Sequence, residues 1–223
     1  DHDLKQCDIA KNNLANPKNY VLTNIGPQIN SAYSEYSPVL TIDESALFFT
    51  SRRLRTDKKF ITNKDIYNPS DGKHFEDVYV SYKNLKTNQW NTPELVAFSK
   101  SNSNQATISV TGDGQLLYIY RDDAGGNGDI YFSERNEMGF DKLTPLDVIN
   151  SESWETHVTT SINGQTMYYV SDRDGGLGGR DIYRCVKLPN GAWSKSLNVG
   201  PPINTPFDEE SPFLHPDGKT LYY

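Results

Sequence analysis

Cysteine is scarce in this 223-residue chain, which has only Cys7 and Cys185. Two thiols so far apart match no metal or redox motif, and free buried thiols are expected ahead of a single long-range disulfide. Long apolar runs are also missing; none approaches the ~18 residues of a transmembrane helix. The first residues, Asp1-His2-Asp3-Leu4-Lys5, lack the basic-then-apolar pattern of a secretory signal and leave the compartment unread. Basic residues are in deficit, with 22 Lys and Arg against 29 Asp and Glu and a net charge of −7. A nucleic-acid binder would carry a basic surface, so that class is set aside. The four histidines, His2, His74, His157 and His215, have no evident Ser or Cys partner. With no Gly-x-Ser-x-Gly elbow either, nucleophilic catalysis finds no support.

Tyrosine, by contrast, is abundant, with 14 copies in a chain that is only 35% apolar. That balance suits half-buried strands with polar outer faces. Helical patterning is confined to Asp1–Ala15, where Leu4, Cys7, Ile9, Ala10 and Leu14 recur at mixed three- and four-residue steps before Pro17. A lone short helix is marginal, so this one is expected to pack on something.

From Tyr20 onward the chain repeats itself. The turns Asp43-Glu44, Asp113-Gly114, Asn163-Gly164 and Asp217-Gly218 are each followed by an apolar residue and an aromatic or aliphatic pair, as in Leu47-Phe48-Phe49 and Met167-Tyr168-Tyr169. Asn30, Asn150 and Asn204, each after Ile, precede three of those turns at one fixed distance; Glu35, Gln105, Glu155 and Glu209 hold another. Asp-(Val/Ile)-Tyr triplets start at Asp77, Asp129 and Asp181. Four short strands in ~50 residues is the pattern of a propeller blade. In the first repeat the strands are expected at Ser37–Ile42, Ala46–Ser51, Asp77–Tyr82 and Glu94–Phe98, with a tight hairpin between the first two whose central residues can both take positive φ. Trp90, Phe140 and Trp193 are placed to cover neighbouring blades. The fold expected is an all-β propeller, incomplete in this chain: residues 1–19 a helix ending a preceding helical region, and residues 20–223 a closing outer strand, three blades and the start of a fourth. Because a propeller usually needs at least four complete blades, the polypeptide is expected to continue past Tyr223.

Several groups of residues invite a functional reading. Asp172, Asp174 and Asp181, or Asp122, Asp123 and Asp129, could gather around calcium, which takes several hard oxygen ligands. Turn geometry accounts for the glycines between them, and the Asp before Ile-Tyr could cap loop amides, so no metal is the preferred reading. Glu35, Gln105, Glu155 and Glu209 could ring one channel mouth; an active site needs unlike residues in unlike roles, so repetition favours structural hydrogen bonding and no catalytic residue is assigned. Arg52, Arg53, Arg55, Lys58 and Lys59 form a basic cluster in a long insertion, and long loops on propellers suit partner contacts.

The elements Glu35-Tyr36-Ser37-Pro38, Asp217-Gly218-Lys219-Thr220-Leu221-Tyr222 and Gly178-Gly179-Arg180-Asp181-Ile182-Tyr183 resemble the WD-like propeller repeat of the TolB type. More narrowly, Asn30–Pro38 followed by Phe49-Thr50-Ser51-Arg52-Arg53 resembles the first blade of OmpA-family envelope proteins of Bacteroidota, including the PorE-type outer-membrane lipoproteins of the type IX secretion system. That resemblance implies a non-enzymatic scaffold in the periplasm, associated with the outer membrane. Its partners would be envelope proteins, with peptidoglycan bound through a domain outside these residues; it implies neither cofactor nor transmembrane segment. A glycan-binding module is the alternative, and a propeller hydrolase ranks below it.

Overall fold

A computed structural model describes residues 2–18, 20–56, 67–99, 103–122 and 128–223. Helix α1 spans His2–Ala15. From Leu4 to Ala15 every residue is exposed, Leu14 at 81%. The mixed spacing of its apolar residues makes no single stripe, and the packing expected of it is not found among the described residues. Cys7 is therefore exposed rather than buried, while Cys185 is buried; both are free thiols.

Beyond the helix the chain is strand and turn. In the first sheet β1 (Glu35–Leu40), β2 (Ala46–Ser51) and β3 (Asp77–Asn84) pair in order, and the short β4 (Gln89–Trp90) and β5 (Glu94–Leu95) both add to β3. The second sheet repeats the plan with β6 (Asn104–Val110), β7 (Leu116–Asp122) and β8 (Asp129–Asn136), flanked by β9 (Gly139–Phe140) and β10 (Thr144–Pro145). The third holds β11 (Glu155–Thr160), β12 (Thr166–Ser171), β13 (Asp181–Val186) and β14 (Leu197–Asn198). A final hairpin joins β15 (Phe213–Leu214) to β16 (Leu221–Tyr222). All pairings are antiparallel. This is an incomplete propeller with a short N-terminal helix.

Two local expectations need correcting. β1 starts at Glu35 rather than Ser37 and stops at Leu40. Ser37 takes a φ of 48°, and the register slips between Tyr36 and Val39. This bulge keeps Glu35 in the ladder opposite Ser51; β6 and β11 slip at the same place. The hairpins, too, are not two-residue turns with both central residues at positive φ. Only Glu44, Gly114, Gly164 and Gly218 are left-handed. The Asp or Asn before each is held right-handed by its own side chain: Asp43 Oδ1 accepts the Thr41 hydroxyl at 2.7 Å and the Ser45 amide at 3.1 Å, and Asp113 and Asn163 do the same in their turns.

The core lies between blades rather than within one. Phe48, Val78, Val80 and Phe98 of the first sheet pack on Leu117, Ile119 and Phe140 of the second. Phe140 meets Phe48 edge-to-face at 5.5 Å, so this expected cover does span two blades. Tyr118, Ile130 and Ile149 then pack on Val158, Met167, Tyr169 and Tyr183 of the third sheet, with Trp193 against the edge of that cluster. Trp90 lies instead against Leu47, Phe49 and Tyr79 of its own sheet.

Candidate functional site: the loop end of the blades

The strand registers bring one residue from each of three strands into a row at the same end of every blade. The rows are Glu35–Ser51–Asp77, Gln105–Arg121–Asp129 and Glu155–Ser171–Asp181. A buried polar row must be hydrogen-bonded to be tolerated. In the third blade Glu155, with no exposure, accepts the Ser151 amide at 2.9 Å, the Ser151 hydroxyl at 2.8 Å, the Ser171 hydroxyl at 2.7 Å and Arg173 Nη2 at 2.9 Å. Glu35 repeats the set with Ser31, Ser51 and Arg53. Burial pushes the Glu35 carboxyl up, but these donors outweigh it and hold the group below its ordinary value. Each arginine also covers two aromatic rings, Arg53 over Phe49 and Tyr79 and Arg173 over Tyr169 and Tyr183, all at 5.0–5.1 Å. These carboxylates are bonded inward, to the frame. In the second blade the row is Gln105 and Arg121, and Arg121 lies 4.1 Å over Tyr131.

The basic insertion is likewise anchored. Arg52 Nη1 reaches Asp71 at 2.6 Å and its Nη2 pairs with Glu76. Arg55 grips Asp77 through two bonds of 2.7 and 2.6 Å, the bidentate geometry that arginine favours. So Arg52, Arg53 and Arg55 each have a carboxylate partner within the chain. Lys58 and Lys59 lie outside the described residues.

The Asp-rich loops separate in space. Asp181 is buried and accepts the Leu177 amide at 2.6 Å, acting as a loop cap. Asp172 is exposed and accepts the Trp154 amide at 2.8 Å, and Asp174 is exposed. No cluster of three His, Cys, Asp or Glu side chains able to hold a metal occurs among the described residues. Asp123 lies outside them.

Beside exposed Asp172, Asp174 and Asp208, four aromatic rings face solvent at this end. Tyr33 and Tyr67 flank His74, Tyr67 stacked at 4.7 Å and Tyr33 edge-on at 5.5 Å. Trp154 donates from its indole nitrogen to the Tyr120 hydroxyl at 2.9 Å, and Arg180 lies 5.5 Å over its ring. Arg180 is itself fixed by Asp208 at 2.8 Å and Glu210 at 2.5 Å. Tyr33, Tyr67, Trp154 and Phe207 are all exposed. None was proposed as a site from the sequence: Tyr33 and Phe207 share one repeat position that is Ser153 in the third repeat, while Trp154 and Tyr67 have no aromatic counterpart, so their signal is departure from the repeat. The opposite, hairpin end is aliphatic: a cavity of about 270 Å³ there is lined by residues including Leu40, Ile42, Ile108, Ile162 and Leu214.

One pairing corrects the sequence reading of the histidines. His157 Nε2 lies 3.3 Å from the Ser211 hydroxyl, brought in from ahead of β15, and its Nδ1 lies 2.8 Å from the Thr156 hydroxyl. Sequence distance hid this partner. A nucleophile–base pair needs a third group to orient the base; here a hydroxyl, not a carboxylate, occupies that side. Ser211 also has the positive φ (52°) of its repeat equivalent Ser37, which ties the strained backbone to the strand bulge.

No protein-family profile and no curated protein matches the chain. Solved structures do. TolB from Acinetobacter baumannii superposes with a TM-score of 0.52 at 18% identity over 87% of this chain and 38% of its own. A putative TolB from Agrobacterium tumefaciens gives 0.51 at 18% identity over 86% of this chain and 54% of its own. The chain thus spans 38% of the first of those proteins and 54% of the second. Together with the three sheets and the final hairpin, this likeness makes the fold that of an incomplete TolB-like propeller.

Proposed function

We propose that this chain is a non-enzymatic protein-interaction module that presents the aromatic rim at its loop end to a partner. The observation that carries this reading is the set Tyr33, Tyr67, Trp154 and Phe207 standing exposed, with Arg180 over the Trp154 ring and with Tyr33 and Trp154 on turns held by the Glu35 and Glu155 hydrogen-bond sets. Tyr, Trp and Arg are the residues that dominate interface energetics, and rigid support lowers the entropy lost on binding. The insertion contributes Tyr67, with Arg52 and Arg55 holding the loop that carries it. The unlike roles that catalysis requires are not met by the repeated carboxylates. The sequence resemblance to OmpA-family envelope proteins supports a finer assignment: a periplasmic, outer-membrane-associated part of a peptidoglycan-associated protein serving an envelope or secretion complex.

Exposed rings also suit sugar stacking, so a glycan-binding module is the second reading. One experiment separates the two. Photo-crosslinking from the rim in envelope extract is expected to trap a discrete protein, and Trp154→Ala with Tyr67→Ala to abolish the adduct. Calorimetric binding of peptidoglycan fragments, lost on the same substitutions and without any protein adduct, would replace the first reading with the second.

A further inference from the structure

The junction between the second and third sheets is closed from both sides by the turn that connects them. Between the second and third sheets, Asn150 reaches back: its Oδ1 accepts the Ile130 amide at 3.1 Å and its Nδ2 donates to the Ile130 carbonyl at 2.8 Å. The following blade reaches forward to the same turn, with Arg173 donating to the Ile149 carbonyl at 2.7 Å. At the next junction Asn204 holds both backbone groups of Ile182 at 2.9 Å. That turn is braced by Asn198, whose Oδ1 accepts Asn204 Nδ2 at 2.7 Å and the Gly200 amide at 2.9 Å.

The segment ahead of the first sheet has the same construction. Asn24 Oδ1 accepts Asn30 Nδ2 at 2.9 Å and the Gly26 amide at 2.8 Å. The Asn30 amide bonds the Gly26 carbonyl at 3.0 Å, as Asn204 bonds Gly200 at 3.0 Å. The forward half of the junction is complete: Arg53 donates to the Ile29 carbonyl at 2.6 Å. Ile29 packs on Leu47, Phe49 and Tyr79 just as Ile149 packs on Met167, Tyr169 and Tyr183. The backward half is not made. Among the described residues the Asn30 side chain bonds only Asn24 and is exposed, whereas Asn204 is 2% exposed. Asn24 stands where Asn198 pairs with Tyr183, yet Tyr20–Gly26 carries no strand, and Val21 and Leu22 are 93% and 95% exposed.

We propose that Leu22–Asn30 is the outer strand and junction turn of a further blade of the same polypeptide, seated on the N-terminal flank of the first sheet. Its occupant is that blade's third strand, of the Asp-(Val/Ile)-Tyr type. The three such strands of this chain, β3, β8 and β13, are already paired with β5, β10 and β14. The register follows from β14: Asn24 lies opposite the incoming Tyr, and the Ile25 amide donates to the carbonyl of the aliphatic residue before it, as Val199 does to Ile182 at 3.1 Å. Asn30 then takes both backbone groups of that aliphatic residue.

A second orphan group, on the opposite flank, points the same way. Glu209 Oε1 accepts the Thr205 amide and hydroxyl at 3.1 and 2.5 Å, but its Oε2 is buried without a partner. Glu35 and Glu155 each take a Ser 16 residues on and an Arg 18 residues on. A continuing polypeptide with Ser and Arg at those offsets from Glu209 satisfies it.

Amide hydrogen exchange on the full-length gene product, set beside the 223-residue chain, tests the proposal. The Thr23 and Ile25 amides are expected to exchange at least about tenfold more slowly in the full-length protein. Asn30→Ala removes that protection, and Asn30→Asp, which keeps the acceptor and loses the donor, removes part of it; both leave the 223-residue chain folded. Equal exchange in the two forms, protection insensitive to Asn30→Ala, or a full-length protein with no further Asp-(Val/Ile)-Tyr strand would each overturn it. Protection that grows with concentration in the 223-residue chain alone would assign the occupant to a second copy and overturn it likewise.

Discussion

Glu155 and Arg173 meet at 2.9 Å with the carboxylate fully buried and the guanidinium lying over Tyr169 and Tyr183. Removing one member of a buried pair strands the other, and so costs more than the pair itself contributes. Glu155→Ala is expected to destabilise the chain by about 3–5 kcal/mol. Arg173 is a quarter exposed and can turn to water, so Arg173→Ala should cost less. Urea denaturation measures both. A Glu155→Ala loss below that of Arg173→Ala would show that the row is not the support of the loop end.

Gly178 is needed for its missing side chain. A Cβ there would lie 1.9 Å from the Phe207 carbonyl oxygen and 2.8 Å from that of Thr205. Backbone cannot move aside as a flexible side chain can, so Gly178→Ala must push apart the third-blade loop and the turn entering β15. The expected cost is about 1–3 kcal/mol, the range for overpacking, with weakened rim binding because Phe207 moves. Gly191→Ala serves as a contrast: its φ is 84° and nothing lies within 4 Å of the added atom, so it should cost backbone strain but leave rim binding intact.

These positions show what the sequence could and could not disclose. The repeat places the blades because a 50-residue period with an Asp-Ile-Tyr strand and an Asp-Gly turn is a local signal, carried by neighbours in the chain. The inward bonding of Glu35 and Glu155 was legible for the same reason: four equivalent residues in one role argue for structure. The Ser211–His157 contact was not legible, since its partners lie on different blades and only packing brings them together. Nor was the pairing of Arg52 and Arg55 with Glu76 and Asp77, which depends on the insertion folding back on its own blade. The rim was least legible of all, because a repeat search discards residues that vary among repeats.

His157 supplies a pH dependence whose sign can be worked out. Burial lowers the affinity of its imidazole for a proton; Glu210 opposes that shift, and Arg180 adds to it, leaving the folded value below 6.5. The unfolded chain therefore binds the proton first, and stability falls as pH drops through 6.5 toward the folded value. Above 6.5 the contribution is fully present. The melting temperature is expected to decline between pH 7 and the folded value, and His157→Gln to flatten that decline. Carboxylates such as Asp43, held down to about 2 by Thr41 and Ser45, act in a lower window and do not mask it. A decline unchanged in His157→Gln would assign the titration elsewhere.

The two thiols should differ in chemistry as they do in place. Cys7 is exposed on α1, whereas Cys185 is buried against Met167 and Tyr183 in the cluster between the second and third blades. Burial pushes the Cys185 thiol up to about 11, with Arg173 pulling the other way. The thiolate is the reacting species, so at pH 8 Cys185 is both inaccessible and protonated. A disulfide-exchange reagent at that pH is expected to modify one thiol rapidly in the native chain and the second only on unfolding, and Cys7→Ser should abolish the fast phase. Because Cys185 reports on the packing of adjacent blades, Glu155→Ala should speed its modification by increasing the unfolded population. Two fast thiols in the native chain would mean that the junction between the second and third blades opens, and the buried row would then not be holding the blades together.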